Sequence, residues 1–263
     1  MLQQTPADRL IVIVMHIPLE TYLDKDPAQN TSDAAALLAL LGDRPAVSFA
    51  GHTHTTEHHY LTRDGLAPHH HHVLTAVSGS WWSGPADRRG IATADSRDGS
   101  PNGFHILSID GTHYATRFVP ANEPNGRQIR LSLDAEFHRE KEIFRDFRMG
   151  QLLGSPLPKE SVGATTLVVN FFDGGPKTKV DFRIGNGEAR PMKLERRTDP
   201  FIEEVYGRNA ATIKPWVKPE PSSHIWTARL PADLESGAYS INVHVVDEYG
   251  RNHYDHLVLE VTG

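Results

Sequence analysis

The chain has no cysteine, which excludes disulfides and thiolate zinc sites and leaves any metal to histidine, aspartate, glutamate or asparagine. It has no excess of positive charge. The formal net charge is -6 at pH 7 and the sequence pI is near 6.2, which argues against a nucleic-acid partner or an anionic membrane surface, since both favour a basic face. No run of about 18 or more apolar residues occurs, and the first residues, MLQQTPADRL, carry no charged and then apolar leader. Nothing therefore reads as a membrane span or export signal, and the compartment stays open. The partners left are small molecules or proteins.

What the chain does have is histidine, 16 in 263 residues. Eleven stand before Pro120 and five follow it, so any chemistry belongs to the first part. A chain of this length suits about two domains. Composition changes at VPANEPNGRQ, where Pro120, Pro124 and Gly126 interrupt the periodic segments. The join falls at Asn122, which gives domains 1–122 and 123–263.

The first part reads as a βαβ unit. RLIVIVMH is a continuous apolar run suited to a strand buried on both faces, and AVSFA is a second strand. Between them TSDAAALLALLG has Thr31 or Ser32 as helix N-cap, Asp33 in the first turn and Gly42 as C-terminal stop. The two strands should be parallel, and ligands of such sheets collect beyond the carboxyl ends of the strands. His16 follows the first strand; His52 and His54 follow the second, in AGHTHTTEHHY. In extended chain, positions i and i+2 face one side, and Gly51 permits a sharp turn and close approach. A metal rim is the reading these three histidines favour together.

VIVMHIPL, followed by SFAGHTHTTEHHY and by the HHHH, SGSWWSG and hairpin stretches after it, resembles the second half of a calcineurin-like metallophosphoesterase with its C-terminal domain. The resemblance implies an α+β fold, a partial layered αββα domain followed by an immunoglobulin-like β-sandwich. It implies a metal-dependent phosphoesterase acting on a small phosphate-ester substrate. His16 and His52 would ligate one divalent ion and His54 the other. The two ions, manganese, iron or zinc, lie about 3.5 to 4 Å apart and clamp the phosphoryl group with the attacking hydroxide. The family's Asp-x-His, Gly-Asp-x-x-Asp and Gly-Asn-His motifs do not occur in the chain. The expectation is therefore a truncated product, or one part of a split protein whose N-terminal segment or companion chain supplies them. Such a fragment binds metal weakly and catalyses little, and the strand at residues 10–15 becomes an exposed edge. The resemblance also points to a bacterial periplasmic or secreted setting.

Further candidates lie nearby. His58 and His59 could protonate the leaving oxygen, against a reading as surface-loop residues. His69 to His72 start a strand, HHVLTAVSGS, sending His70 and His72 to one face and His69 and His71 to the other; His70 is the substrate contact among them. Trp81 could form an aromatic wall with Trp82 facing the opposite way, and Arg88 could fork onto a phosphate. Asp110-Gly111 sits between two alternating runs and reads as a hairpin turn completing the second sheet of the layered fold.

After the join, RQIRLSL, TTLVVNFF, KVDFRI, RPMKLERR, HIWTARLP, AYSINVHVVD and HLVLEV alternate with period two between Gly, Pro and Asp. These are strands of a β-sandwich, with a hairpin turn at Asp247 to Gly250. LDAEFHREKEIFRDFRMGQL reads as a short amphipathic helix in a linker. The competing functional reading is a binding or assembly module, in which the sandwich recognises a partner and the histidines take up metal adventitiously.

Overall fold

The computed structural model describes residues 2–23, 27–84, 90–92, 94–121, 123, 126–135 and 155–263. Strand β1 (Ile11–Val14), helix α1 (Ala34–Leu41) and strand β2 (Ala46–Ala50) form the βαβ unit, with β1 and β2 parallel in the register Ile11 to Ala46. Asp33 occupies the N-cap without a side-chain cap bond, and Gly42 ends the helix at φ 58°, a left-handed conformation that glycine adopts without strain. Strand β3 (Glu57–Arg63) turns through Asp64-Gly65 into β4 (Leu66–Val73), and β4 pairs parallel to β2, giving the order β1-β2-β4-β3.

Three local expectations change. Strand β1 is not buried on both faces: it lies at the sheet edge with Val14 77% exposed, because among the described residues no element covers its outer side. His58 and His59 are in β3, not in a surface loop. The four consecutive histidines end β4, whose last residue is Val73, and do not begin a strand running to Ser80.

Strands β5 (Gly103–Asp110) and β6 (His113–Pro120) pair as a hairpin turned at Gly111, φ 60°. Among the described residues this is a two-stranded ribbon of its own and no part of a second large sheet.

All seven runs of the second part form strands. One four-stranded sheet has β7 (Ile129–Asp134) beside β9 (Thr166–Phe171), then β13 (Ile225–Arg229) and the short β12 (Lys193–Leu194). A five-stranded sheet runs β11 (Arg190–Pro191), β10 (Lys179–Ile184), β14 (Gly237–Val246), β15 (Asn252–Thr262) and β8 (Leu157–Pro158). Alternation turns Leu131, Leu167, Val169 and Trp226 of one sheet and Val243, Val245 and Leu259 of the other into one core cluster. The turn at residues 247–251 joins β14 to β15. Helix α2 (Lys159–Val162) is a single turn, and α3 (Pro200–Arg208) starts on Asp199, whose carboxylate accepts the Phe201 amide at 2.9 Å. The expected amphipathic helix covers residues 133–152, of which 136–152 lie outside the described residues. Among the described residues no helix is long and apolar enough to cross a membrane.

Candidate metal centre

The ends of β1 and β2 are tied together by backbone bonds from Met15 to Phe49 (3.0 Å) and from Gly51 to His16 (3.1 Å). This brings the first side chains beyond them into contact: Nδ1 of His52 lies 3.1 Å from Nε2 of His16, with the rings edge to face at 4.9 Å. His54 turns differently. Its Nδ1 bonds the carbonyl of Gly79, and its ring stacks on Trp81 at 3.9 Å and 22°. A carbonyl only accepts, so Nδ1 carries the hydrogen and Nε2 keeps its lone pair free for a metal. Burial, more than the nearby charge of Arg97, His52 and His16, lowers the His54 pKa and holds the ring neutral.

The backbone route is not the extended one read from the sequence. His52 and His54 have φ of 74° and 57°, and Trp81 and Trp82 have 59° and 56°; these are the non-glycine residues with positive φ among those described. Gly51 is not in that region, and a Cβ there would find nothing closer than 4.0 Å. The strain therefore sits on the histidines and tryptophans themselves, about 1 to 3 kcal/mol for each such residue. Gly79 supplies the close approach instead, since a Cβ on it would lie 1.5 Å from the Ala94 carbonyl oxygen. Trp81 packs between His54 and the cluster of Phe201, Ile202, Val205 and Tyr206 while Trp82 is 48% exposed; both stand in a turn, not a strand. Arg88 lies outside the described residues.

A second group of histidines lies inside the molecule. The β3–β4 pairing places His58 opposite His72, and ligand nitrogens of His58, His70 and His72 all come within 4.8 Å of one another. His16, His52 and His54 do not form so close a group, and this trio is the one that does among the described residues. His58 Nδ1 is 3.0 Å from His70 Nε2, His58 Nε2 is 3.1 Å from Asp173, and His70 Nδ1 is 2.7 Å from the Tyr114 hydroxyl. On the opposite face of β4, Ser48 bonds both His69 (2.8 Å) and His71 (2.7 Å). His59 bonds Glu57 at 2.7 Å and stacks on Tyr22. His58 and His59 are 1% and 3% exposed and His70 is 8% exposed. Rings shielded in this way do not reach a leaving group or substrate at the rim, so their expected roles as acid and substrate contact have no geometry to act through.

One buried network went unread in the sequence. Asp98 accepts the Thr56 amide (2.6 Å) and the Ser100 hydroxyl (2.7 Å) and meets His224. His224 meets Asn170, which donates to Asp199 at 2.6 Å, and Asp199 faces Arg130, whose guanidinium lies over Phe201 at 3.7 Å. Only the Asp199-Pro200 pair had a local signal, that of a helix N-cap followed by proline.

A sheet whose strand ends carry histidines, docked on a two-sheet sandwich, is the setting in which the comparisons fall. A family model described as the C terminal of calcineurin-like phosphoesterase matches residues 71–253, and the chain belongs to that family. The match runs from β4 through the sandwich, so His16, His52 and His54 precede it. No curated protein matches the chain. Among solved structures, protocadherin gamma B2 extracellular cadherin domains 3-6 is 9% identical, covering 97% of this chain and 45% of that one at a TM-score of 0.21. At that score the likeness carries no argument.

Proposed function

We propose that this chain supplies the histidine side of a two-metal phosphoester hydrolase, with His16 and His52 holding one divalent ion and His54 the other. The observation that carries the reading is the 3.1 Å approach of His52 Nδ1 to His16 Nε2 across two parallel strand ends. Two nitrogens each about 2.0 to 2.1 Å from one tetrahedral ion stand roughly 3.3 Å apart, so the pair needs little movement to share an ion. The donor set fits iron or zinc, which imidazoles suit, while manganese would lean on the carboxylates of the missing motifs. Such ions, when bound, neutralise phosphoryl oxygens and lower the pKa of water.

The chain's own residues do the positioning. The Gly79 carbonyl fixes the His54 tautomer with Nε2 outward, and Trp81 stacks on the ring and holds it flat. Residues 1–122 act as the metal-bearing domain, part of an αββα layering, and residues 123–263 as the accessory sandwich. The bridging carboxylate and other ligands of such a centre come from motifs of the Asp-x-His and Gly-Asn-His type, which these 263 residues do not contain. A segment or companion chain carrying them completes the site.

The test is release of nitrophenol from a phosphate monoester and a diester in added manganese or zinc. The chain alone should show little hydrolysis, and the chain joined to or mixed with a segment bearing the missing motifs should show metal-dependent hydrolysis that His52→Ala abolishes. Absence of hydrolysis in both preparations would overturn the reading.

A further inference from the structure

We propose that His58, His70 and His72 form a separate, buried metal site for a zinc-type transition ion, one that fastens the first sheet to the sandwich. The strongest sign is His72. Its side chain is 0% exposed, yet neither Nδ1 nor Nε2 has a hydrogen-bond partner among the described residues. An imidazole stripped of water on both nitrogens loses about 1 to 3 kcal/mol for each unmet group, and buried polar groups normally have partners. The nearest candidates are other imidazoles: His70 at 4.0 Å and His58 at 4.6 Å between ring centroids. A cation accepting all three lone pairs resolves what the rings cannot resolve among themselves.

The rest of the cluster is built to match. His58 Nδ1 and His70 Nε2 are already 3.0 Å apart, close to the roughly 3.3 Å between two ligands of a tetrahedral ion. Each of these rings is held from behind on its other nitrogen, His58 by Asp173 at 3.1 Å and His70 by the Tyr114 hydroxyl at 2.7 Å. Partners of that kind orient metal-ligating histidines. On binding, the proton between His58 Nδ1 and His70 Nε2 moves to His70 Nδ1, where the Tyr114 oxygen accepts it, and both inward nitrogens present lone pairs. Three imidazoles without an inward carboxylate select zinc, cobalt, nickel or copper over magnesium or calcium. Asp173 belongs to the sandwich side, following β9, so an ion here would tie strands β3 and β4 to the second domain through His58.

The experiment separates this site from the rim by deleting the rim. The chain carrying His16→Ala, His52→Ala and His54→Ala is unfolded, refolded with cobalt(II), dialysed, and read by metal analysis and visible absorption. The expected result is one cobalt per chain with the intense visible bands of a four-coordinate ion. His72→Phe, which keeps a ring against Phe49, should remove that equivalent, and Asp173→Asn should weaken affinity roughly 10- to 100-fold. If circular dichroism shows His72→Phe unfolded, His70→Asn is read in its place. No bound cobalt in the rim-deleted chain, weak six-coordinate-type absorption, or an equivalent retained after loss of His72 or His70 would overturn the proposal. Because the rim is absent throughout, none of these outcomes bears on the hydrolase reading.

Discussion

Asp98 Oδ2 lies 3.1 Å from Nε2 of His224, 126 residues further along the chain, and the two side chains are 1% and 0% exposed. Burial alone would raise the Asp98 pKa, but the His224 charge and hydrogen bonds from His224, Ser100 and Thr56 hold it below the ordinary carboxylate value. Because the same carboxylate bonds Thr56, it links the loop beyond the rim to the sandwich. Removing one member of such a buried pair leaves the other uncompensated, which destabilises by roughly 3 to 5 kcal/mol. His224→Ala should lower the unfolding free energy from urea titration by that order. A change below about 1 kcal/mol would show that this contact does not hold the seam.

The histidines of β4 set an unusual acid response. Burial is the chief cause lowering His69 to about 4, His70 to about 2 and His71 to about 3. A folded value below the ordinary 6.5 means that the stability carried by the neutral ring is complete above pH 6.5 and is lost as pH falls towards the folded value. His58 works in the opposite sense: despite burial, Asp173 raises its pKa, so its contribution is present below 6.5 and lost as pH rises through the raised value. Burial also lowers His72 well below the ordinary value, so four depressed rings of β4 stand against one raised, and stability should begin to fall just below pH 6.5, before ordinary carboxylates titrate. Denaturant midpoints measured between about pH 7 and pH 5 should fall with pH, and His69→Gln with His71→Gln should flatten the slope.

Gly79 and Gly111 offer a matched pair. Both have positive φ, 44° and 60°, but a Cβ at Gly79 would sit 1.5 Å from a backbone oxygen while Gly111 has open space. Gly111→Ala should destabilise by about 1 to 2 kcal/mol from backbone conformation alone. Gly79→Ala should destabilise by more than about 3 kcal/mol and release His54, because the turn must move. Thermal unfolding of the two variants makes the comparison.

The free side of β1 should associate. Val14 is 77% exposed and Val12 36% exposed on a strand with one paired neighbour among the described residues, which is the arrangement that recruits further strands. Val14→Lys should reduce concentration-dependent light scattering without lowering the unfolding midpoint. Equal scattering from both proteins would show that this edge is not the site of association.

Elements with strong local signals were legible in the sequence. The apolar run before His16, the alanine and leucine helix stopped by Gly42, and the Asp110-Gly111 and Asp247–Gly250 turns all specify their structure within a few residues. The β3–β4 hairpin was missed although Asp64-Gly65 marks it, with Gly65 at φ 68°, because the histidines on either side mask the alternation of a strand. The rim was legible as a meeting of strand ends. The turn inside it was not, because left-handed histidines have no sequence marker. Asp98 meeting His224, and Asp173 meeting His58, arise only when the domains dock, and no local pattern encodes a contact more than a hundred residues away.

Even-numbered and odd-numbered histidines of β4 touch different neighbours: His70 and His72 meet His58 and Phe49, while His69 and His71 share Ser48. Their identity is thus set by parity alone. Deleting a single codon between Arg63 and His69 would leave the composition nearly intact yet exchange the two sets across the sheet, taking His69 and His71 away from Ser48 and His70 and His72 away from His58. Length in this short connection is under a tighter constraint than side-chain type.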